Sequence, residues 1–388
     1  MYALFATITA WASVACDTAA VVGCGYALFA AWAARGLVRQ ATPTAADYPA
    51  VTVLKPLHGM EPKLYGNLAG FCAQNYPGSV QIIFGVDDAA DPAADVVRRL
   101  VADFPERDLT LVIDGRRHGE NRKVSNLINM ARQARHEVLV VSDSDIVVAP
   151  DYLKHIAAAL AQPGVGLVTC LYHGIPAGGL WSRLSAAAID YHFLPNVLAG
   201  LKLGLASPCF GSTIALRAKT LAAIGGFEAV ADQLADDYAL GALVRATGRT
   251  VAIPNHVVGH ACAERSAGEL ILHELRWART IRSIDPAGFA GSAITHSLPL
   301  ALIGLVLGGI NPAGFIVVAA LACRLLLQNA IDRAFGLRGD LFWLGPLRDV
   351  LSFAIFVGSF FGRGVQWRGH RYGLRADNRL AYYGEVET

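Results

Sequence analysis

Apolar and polar positions along this chain fall into three regimes. Residues 1–34 form an almost unbroken apolar run with a single charge, Asp17, and Arg35 and Arg39 follow at its end. Such a run crosses a ~30 Å hydrocarbon core as one helix. It is longer than the apolar core of a signal peptide, and no basic stretch precedes it, so a cleavable leader is the poorer reading. A carboxylate at mid-span is costly against lipid, so Asp17 is expected to face other helices.

From 51 to about 255 the pattern changes. Short β-branched runs predict strands at VTVL (51–54), QIIFGV (81–86), LTLVI (109–113), EVLVV (137–141) and VGLVTC (165–170). Between them, 62–74, 93–103, 122–135 and 151–162 have helical spacing. Alternation of strand and helix implies a mostly parallel α/β sheet, whose ligands bind at the carboxyl ends of the strands.

The third regime begins after Asp285, from which no Lys, Arg, Asp or Glu occurs until Arg324. The stretch is too long for one span and is broken at Asn311-Pro312, which predicts two helices, about 293–310 and 313–331. Arg324 then lies inside a helix, as a snorkelling or helix-paired arginine. The run 350–362, between Asp349 and Arg363, is short for a span and reads as re-entrant or interfacial. Arg35 and Arg39 place the middle of the chain on the cytoplasmic side, and Arg363, Arg368, Arg371, Arg375 and Arg379 favour the same side for the tail. The expected organisation is a transmembrane helix (1–35), a cytoplasmic α/β domain with interfacial helices (36–290), membrane segments (291–362) and a basic cytoplasmic tail (363–388).

Composition agrees with a multi-pass membrane protein: of 388 residues 54% are apolar and 16% charged, and the mean hydropathy is +0.40. A formal charge of +2 leaves no general basic field, so nucleic acid is not an expected partner. The 7 cysteines form no CxxC pair, which points to buried thiols rather than a disulfide framework or zinc knuckle.

Three acidic clusters stand where the parallel sheet would place chemistry. Asp87-Asp88 ends the second strand, Ser142-Asp143-Ser144-Asp145 ends the fourth, and Asp236-Asp237 opens a helix to about 246. Two carboxylates one residue apart at a strand end suit a hard divalent cation that also takes phosphate oxygens, Mg²⁺ or Mn²⁺. Turn and cap chemistry is the bland alternative for both Asp143/Asp145 and Asp236/Asp237. Neither a Walker loop nor a GxGxxG after the first strand is present, so a bound diphosphate would be held by metal and basic side chains. Lys123 and the Arg276-Trp277 pair are the candidates, although 266–282 also reads as an amphipathic helix lying on a bilayer. The mixed stretch 180–205 suits a core or a lipid-facing helix equally. His256 and His260 have i, i+4 spacing, but Pro254 and Gly259 argue against a helix there, and they are set aside as metal ligands.

These patches resemble a GT-A glycosyltransferase, and more narrowly the ceramide glucosyltransferase family. The matching segments are VTVLKPLHG (51–59), FGVDDAADP (84–92), NRKVSNL (121–127), SDSDI (142–146), ADDYALG (235–241), LRWAR (275–279) and WRGHRYGL (367–374). Within it, EPKLYGNLAGFCAQNYP after KPLHG, and NRKVSNLINM with HELRWARTIR, are most similar to the bacterial hopanoid-biosynthesis branch, which places N-acetylglucosamine from a UDP donor on bacteriohopanetetrol. The resemblance implies an inverting transfer from a UDP-sugar to a lipid hydroxyl at the bacterial plasma membrane. The acceptor would be the hopanoid, with glucosylation of ceramide as the alternative. It implies Asp88 for the nucleoside, Asp143 and Asp145 for metal and diphosphate, Asp237 as base with Asp236 beside it, and Arg276-Trp277 closing the pocket. His273 departs from the pattern, since ceramide transferases carry Gln or Arg there. A processive synthase would need more spans than this chain offers, and a lipid-binding scaffold has no need of carboxylates after successive strands.

Overall fold

The computed structural model describes residues 2–38, 47–310, 312–339, 341–362, 364–367, 370–374 and 380–385. Its contacts divide the chain into two compact units. One comprises Ala41–Ala177, Pro208–Ala263 and Arg368–Thr388, and the other Met1–Gln40, Gly178–Ser207 and Glu264–Trp367. The boundaries differ from the sequence reading, because 178–207 and 264–290 group with the apolar helices rather than with the rest of 36–290.

The first unit is the α/β body. Its strands are β1 (Val51–Pro56), β2 (Val80–Val86), β3 (Asp108–Ile113), β4 (Val138–Val141), β5 (Ile146–Val147), β6 (Val165–Val168), β7 (Leu171–Pro176), β8 (Ile214–Arg217), β9 (Thr250–Ala252) and β10 (Val257–Cys262). Seven form one sheet in the order β3-β2-β1-β4-β8-β6-β9. β1 runs parallel to both β2 and β4, and every residue of β1 is buried, as expected of a strand covered on both faces. The chain walks outward from β1 to β3 and then returns to the other side of β1 as β4. That reversal makes the carboxyl ends of β1 and β4 the switch point at which open α/β sheets bind ligands.

The predicted strands and helices of 51–168 are all present, with helices Leu64–Cys72, Pro92–Asp103, Arg122–Ala131 and Tyr152–Leu160. Asp91 and Asn121 start two of these by accepting hydrogen bonds from the first-turn amides of Ala93 and Val124. β8 is antiparallel to β4, pairing Ile214 with Val141, so the loop Pro208–Thr213 comes to the carboxyl end of β4. A second sheet, β5-β10-β7, pairs Ile146 with His260 and brings β10 beside the turn after Asp145.

The second unit is built from apolar helices. Tyr2–Val38, Ala313–Phe335 and Phe342–Ser359 each contain a stretch long and apolar enough to cross a membrane. Among the described residues a fourth crossing is available only if Pro286–Thr295 and Ser297–Gly308, bent by 66°, act as one span. The helix expected at 293–310 is therefore a bent pair, and the run at 350–362 belongs to a longer helix, Gly345–Ser359, than its apolar core suggested. Asp349 had looked like the end of that run. Instead it lies in the helix and neutralises Arg324, whose Nε and Nη2 donate to its carboxylate at 2.7 and 2.5 Å and whose Nη2 also reaches the Tyr191 carbonyl at 2.8 Å. Asp17 turns inward as expected: a Cβ at Gly304 would collide with its carboxylate, and Ser13 Oγ donates to the Gly304 carbonyl at 3.1 Å. The stretch 180–205 is helical, Gly179–Ala188 and Leu194–Leu203 being joined by one wide turn. Tail strands His370–Leu374 and Leu380–Glu385 pair antiparallel. The tail residues Arg363, Arg368, Arg375 and Arg379 lie outside the described residues.

Candidate functional site

At the switch point the chain places an unusual residue. Lys55, on the fully buried β1, is 0% exposed. Its Nζ donates to the Asp143 carbonyl and lies 3.3 Å from Ser142 Oγ, with the ammonium 3.9 Å above the Phe71 ring. Burial pulls its pKa down to about 7 against the opposing charges of Asp143, Asp145 and Glu61. Lys55 thus ties the end of β1 to the start of the SDSD turn. Glu61, in the loop after β1, accepts from Ser144 Oγ at 2.8 Å and holds the next residue of that turn.

The carboxylates gather around Lys123. This side chain, on the first turn of helix Arg122–Ala131, is 9% exposed and lies 2.7 Å from Asp143 Oδ1 and 3.4 Å from Asp236 Oδ2. Burial opposes its charge, but Asp143, Asp236 and Asp237 outweigh that and raise its pKa, so Lys123 is a fixed cation. It had been read as a diphosphate ligand, and in the structure its ammonium is engaged with two carboxylates. Asn121 completes the link by donating to the Gln233 carbonyl at 2.8 Å and to Asp236 Oδ1 at 3.4 Å.

Asp236 and Asp237 occupy the first turn of helix Asp236–Ala246. Asp236 is buried and committed to Lys123 and Asn121, whereas Asp237 is half-buried and accepts from the Gly211 amide at 2.8 Å. Adjacent helical residues diverge by about 100°, which accounts for the two environments. Burial first, then the charge of Asp236, pushes the Asp237 carboxyl up to about 6. Gly211 touches both halves of the site: a Cβ there would lie 2.5 Å from Asp143 Oδ2 and 3.2 Å from Lys123 Nζ. Gly211→Ala is therefore expected to displace the Asp143 carboxylate and loosen its contact with Lys123, at modest cost because both atoms end flexible side chains, read as a small fall in Tm on protein that still melts cooperatively.

Asp145 has a different partner. Its Oδ2 lies 3.3 Å from His260 Nε2, while its Oδ1 is buried with no hydrogen-bond partner. A buried carboxylate oxygen rarely stays unpaired, and one beside an imidazole, two residues from a second carboxylate, fits a divalent cation of the Mg²⁺ or Mn²⁺ type. His260 is set aside on sequence because Pro254 and Gly259 argue against a helix that would make its i, i+4 spacing to His256 useful. Its relevance comes from the β5–β10 pairing, which no local pattern announces. Tyr172, on β7, packs its ring against His260 and Phe210 with centroids 5.6 and 5.7 Å away.

Asp88, at the end of β2, is exposed and caps its own turn by accepting from the Ala90 amide at 2.9 Å. Arg276 and Trp277 belong to the other unit, on helix Ala267–Ile284. There His273 Nδ1 sits 2.6 Å from Glu264 Oε1, and the His273 ring meets Trp277 edge-on at 4.6 Å. The departure at His273 is thus a buttress for the indole.

Comparisons with known proteins bear on the family and the fold. The model of glycosyl transferase family 21 matches residues 15–380. Ceramide glucosyltransferase 1 of Caenorhabditis elegans is 24% identical over 353 residues, covering 88% of this chain and 73% of that protein. Ceramide glucosyltransferase of Candida albicans is 32% identical over 124 residues, 29% of this chain and 23% of that one. Among solved structures, the mannosyltransferase PcManGT from Pyrobaculum calidifontis in complex with GDP-Man and Mn²⁺ superposes with a TM-score of 0.56 at 20% identity, over 91% of this chain and 97% of that one. The shared architecture is a GT-A-like fold with a mostly parallel sheet.

Proposed function

The chain belongs to glycosyl transferase family 21, and from that premise we propose that it is a membrane-bound inverting enzyme that moves a sugar from a UDP-sugar to a lipid hydroxyl. The observation that carries the reading is the convergence of Asp143, Lys123, Asp236 and Asp237 at the switch point, with Asp145 and His260 beside them. Asp143, Asp145 and His260 would hold Mg²⁺ or Mn²⁺, which when bound neutralises the diphosphate of departing UDP. Lys123 keeps Asp143 and Asp236 compact despite their like charge. Asp88 is assigned to the nucleoside.

Asp237 is assigned as the base. Its carboxylate takes the proton of the acceptor hydroxyl as that oxygen bonds to the anomeric carbon, and the bond from that carbon to the diphosphate oxygen breaks with its electron pair leaving on UDP. A base whose pKa is about 6 is ionised at neutral pH yet still able to accept a proton, as general-base catalysis requires. Attack from the face opposite the leaving group gives inversion.

The named relatives favour ceramide as acceptor and glucose as the sugar. The hopanoid reading, with N-acetylglucosamine as the sugar, rests on the segments following KPLHG and around HELRWARTIR. The α/β unit is assigned to the cytoplasmic face from the arginines at 35 and 39, and the membrane to a bacterial plasma membrane from the hopanoid resemblance. UDP release in bilayer vesicles tests the class of reaction: release should rise when ceramide or bacteriohopanetetrol is incorporated. Release that ignores both lipids would mean that the acceptor is not of this kind. The cation is tested separately. Chelation or Asp145→Asn should remove most UDP-sugar binding, and His260→Gln, which removes a direct ligand, should weaken it at least as much as the ~10–100-fold typical of losing a residue that orients a ligand; an unchanged calorimetric titration with EDTA present would remove the cation from the site.

A further inference from the structure

At the entry to β10, away from the carboxylate cluster, three other donor side chains converge. Asp151 immediately precedes helix Tyr152–Leu160 and His155 lies one turn in, a spacing that puts both on one face. His155 Nε2 is 3.1 Å from Asp151 Oδ2. His256 arrives from the turn between β9 and β10, its ring stacked on that of His155 with centroids 4.3 Å apart and planes 21° apart. One donor atom from each of the three lies within 4.8 Å of the other two. Independently, His155 Nδ1 and His256 Nε2 are both buried without a hydrogen-bond partner. Buried ring nitrogens ordinarily find one.

Two imidazoles and a carboxylate are a zinc donor set, three protein ligands with a fourth position left for water. We propose that Asp151, His155 and His256 bind a Zn²⁺-class transition ion that clips the start of the helix to the start of β10. In stacked rings the in-plane lone pairs run side by side, so binding turns one imidazole about its Cβ–Cγ bond to make them converge. The clip is separate from the cation assigned to Asp145. At about 3.3 Å per strand residue, His256 and His260 are about 13 Å apart along the strand. Its consequence is nonetheless felt there, because β10 is the strand that presents His260 to Asp145. The inference does not depend on the acceptor or on the reaction class.

The test uses the full chain in detergent, purified without a polyhistidine tag, stripped with chelator and kept in excess Mg²⁺. Co²⁺ should then give the visible absorption of a four-coordinate nitrogen–oxygen site, one equivalent of Zn²⁺ should displace it, and Zn²⁺ should raise the Tm. Both effects should vanish in His155→Gln and His256→Gln and persist in Asp145→Asn. No band in the wild type, a band retained in either glutamine variant, or a band lost only in Asp145→Asn would overturn the proposal. Should a glutamine variant not fold, zinc X-ray absorption on the wild type decides: two imidazoles in a nitrogen–oxygen shell supports the clip, and a shell with sulfur or without imidazole contradicts it.

Discussion

Asp237→Asn is expected to lower kcat by about 10²–10⁴-fold while leaving UDP-sugar affinity nearly unchanged, the loss typical of removing a positioned base. Asp236→Asn should lose less in kcat, since its carboxylate faces Lys123 and Asn121 rather than the open side of the site. In the wild type kcat should fall as pH drops through about 6, where Asp237 takes up its proton. The same group makes a stability prediction of opposite sense. Its folded pKa lies above the usual carboxylate value near ~4, so the folded state binds the proton more tightly and the stabilisation is complete below that value. It disappears as pH rises through about 6, leaving an unfavourable buried charge at neutral pH. Asp237→Asn should therefore melt higher than the wild type at pH 8, with the gap narrowing as pH falls through about 6 and closing near pH ~4. An inactive variant that melts higher cannot be explained as misfolded, whereas near-normal turnover in Asp237→Asn with a dead Asp236→Asn would reverse the two assignments.

Lys123→Met should cost the most stability. Removing one partner of a buried ionic group leaves uncompensated charge and typically costs about 3–5 kcal/mol. Here Asp143 and Asp236 would face each other without the cation 2.7 and 3.4 Å from their oxygens. The variant should lose sugar-nucleotide binding and melt markedly lower at pH 8, and lowering the pH should recover part of the loss in Tm, because burial already raises the Asp236 carboxyl. A melting temperature unchanged from wild type at pH 8 would mean that Lys123 is not the electrostatic centre of the site and would restore it as a free diphosphate ligand.

What the sequence could disclose followed from how local each signal is. The strands 51–56, 80–86 and 138–141 are apolar because both faces of a parallel sheet are covered, and the half-buried edge strand 108–113 keeps a β-branched run, so the strands announce themselves. The carboxylates at their ends could be read from the same pattern. β5, β9 and the antiparallel β8 are short, of two to four residues, and only their pairing defines them. Pairing is long-range, and with it went Gly211 and His260, two residues that touch the cluster only because β8 lies beside β4 and β10 beside β5. Lys55 and Glu61 stood inside a segment read for its resemblance rather than its charge. A buried lysine at the end of an otherwise apolar strand was the available signal. The membrane helices were legible as hydropathy, but the ends were not, because Asp349 reads as a boundary until Arg324 is found against it.

The central claim, sugar transfer to a lipid at the switch-point carboxylates, is tested most directly by mass spectrometry of the lipids after incubating vesicle-embedded protein with UDP-glucose or UDP-N-acetylglucosamine and with ceramide or bacteriohopanetetrol. One donor and acceptor combination should yield a lipid heavier by a single sugar residue, absent when Asp237→Asn replaces the wild type. Sugar nucleotide consumed with no glycosylated lipid in any of the four combinations, or the same product formed equally by Asp237→Asn, would contradict it.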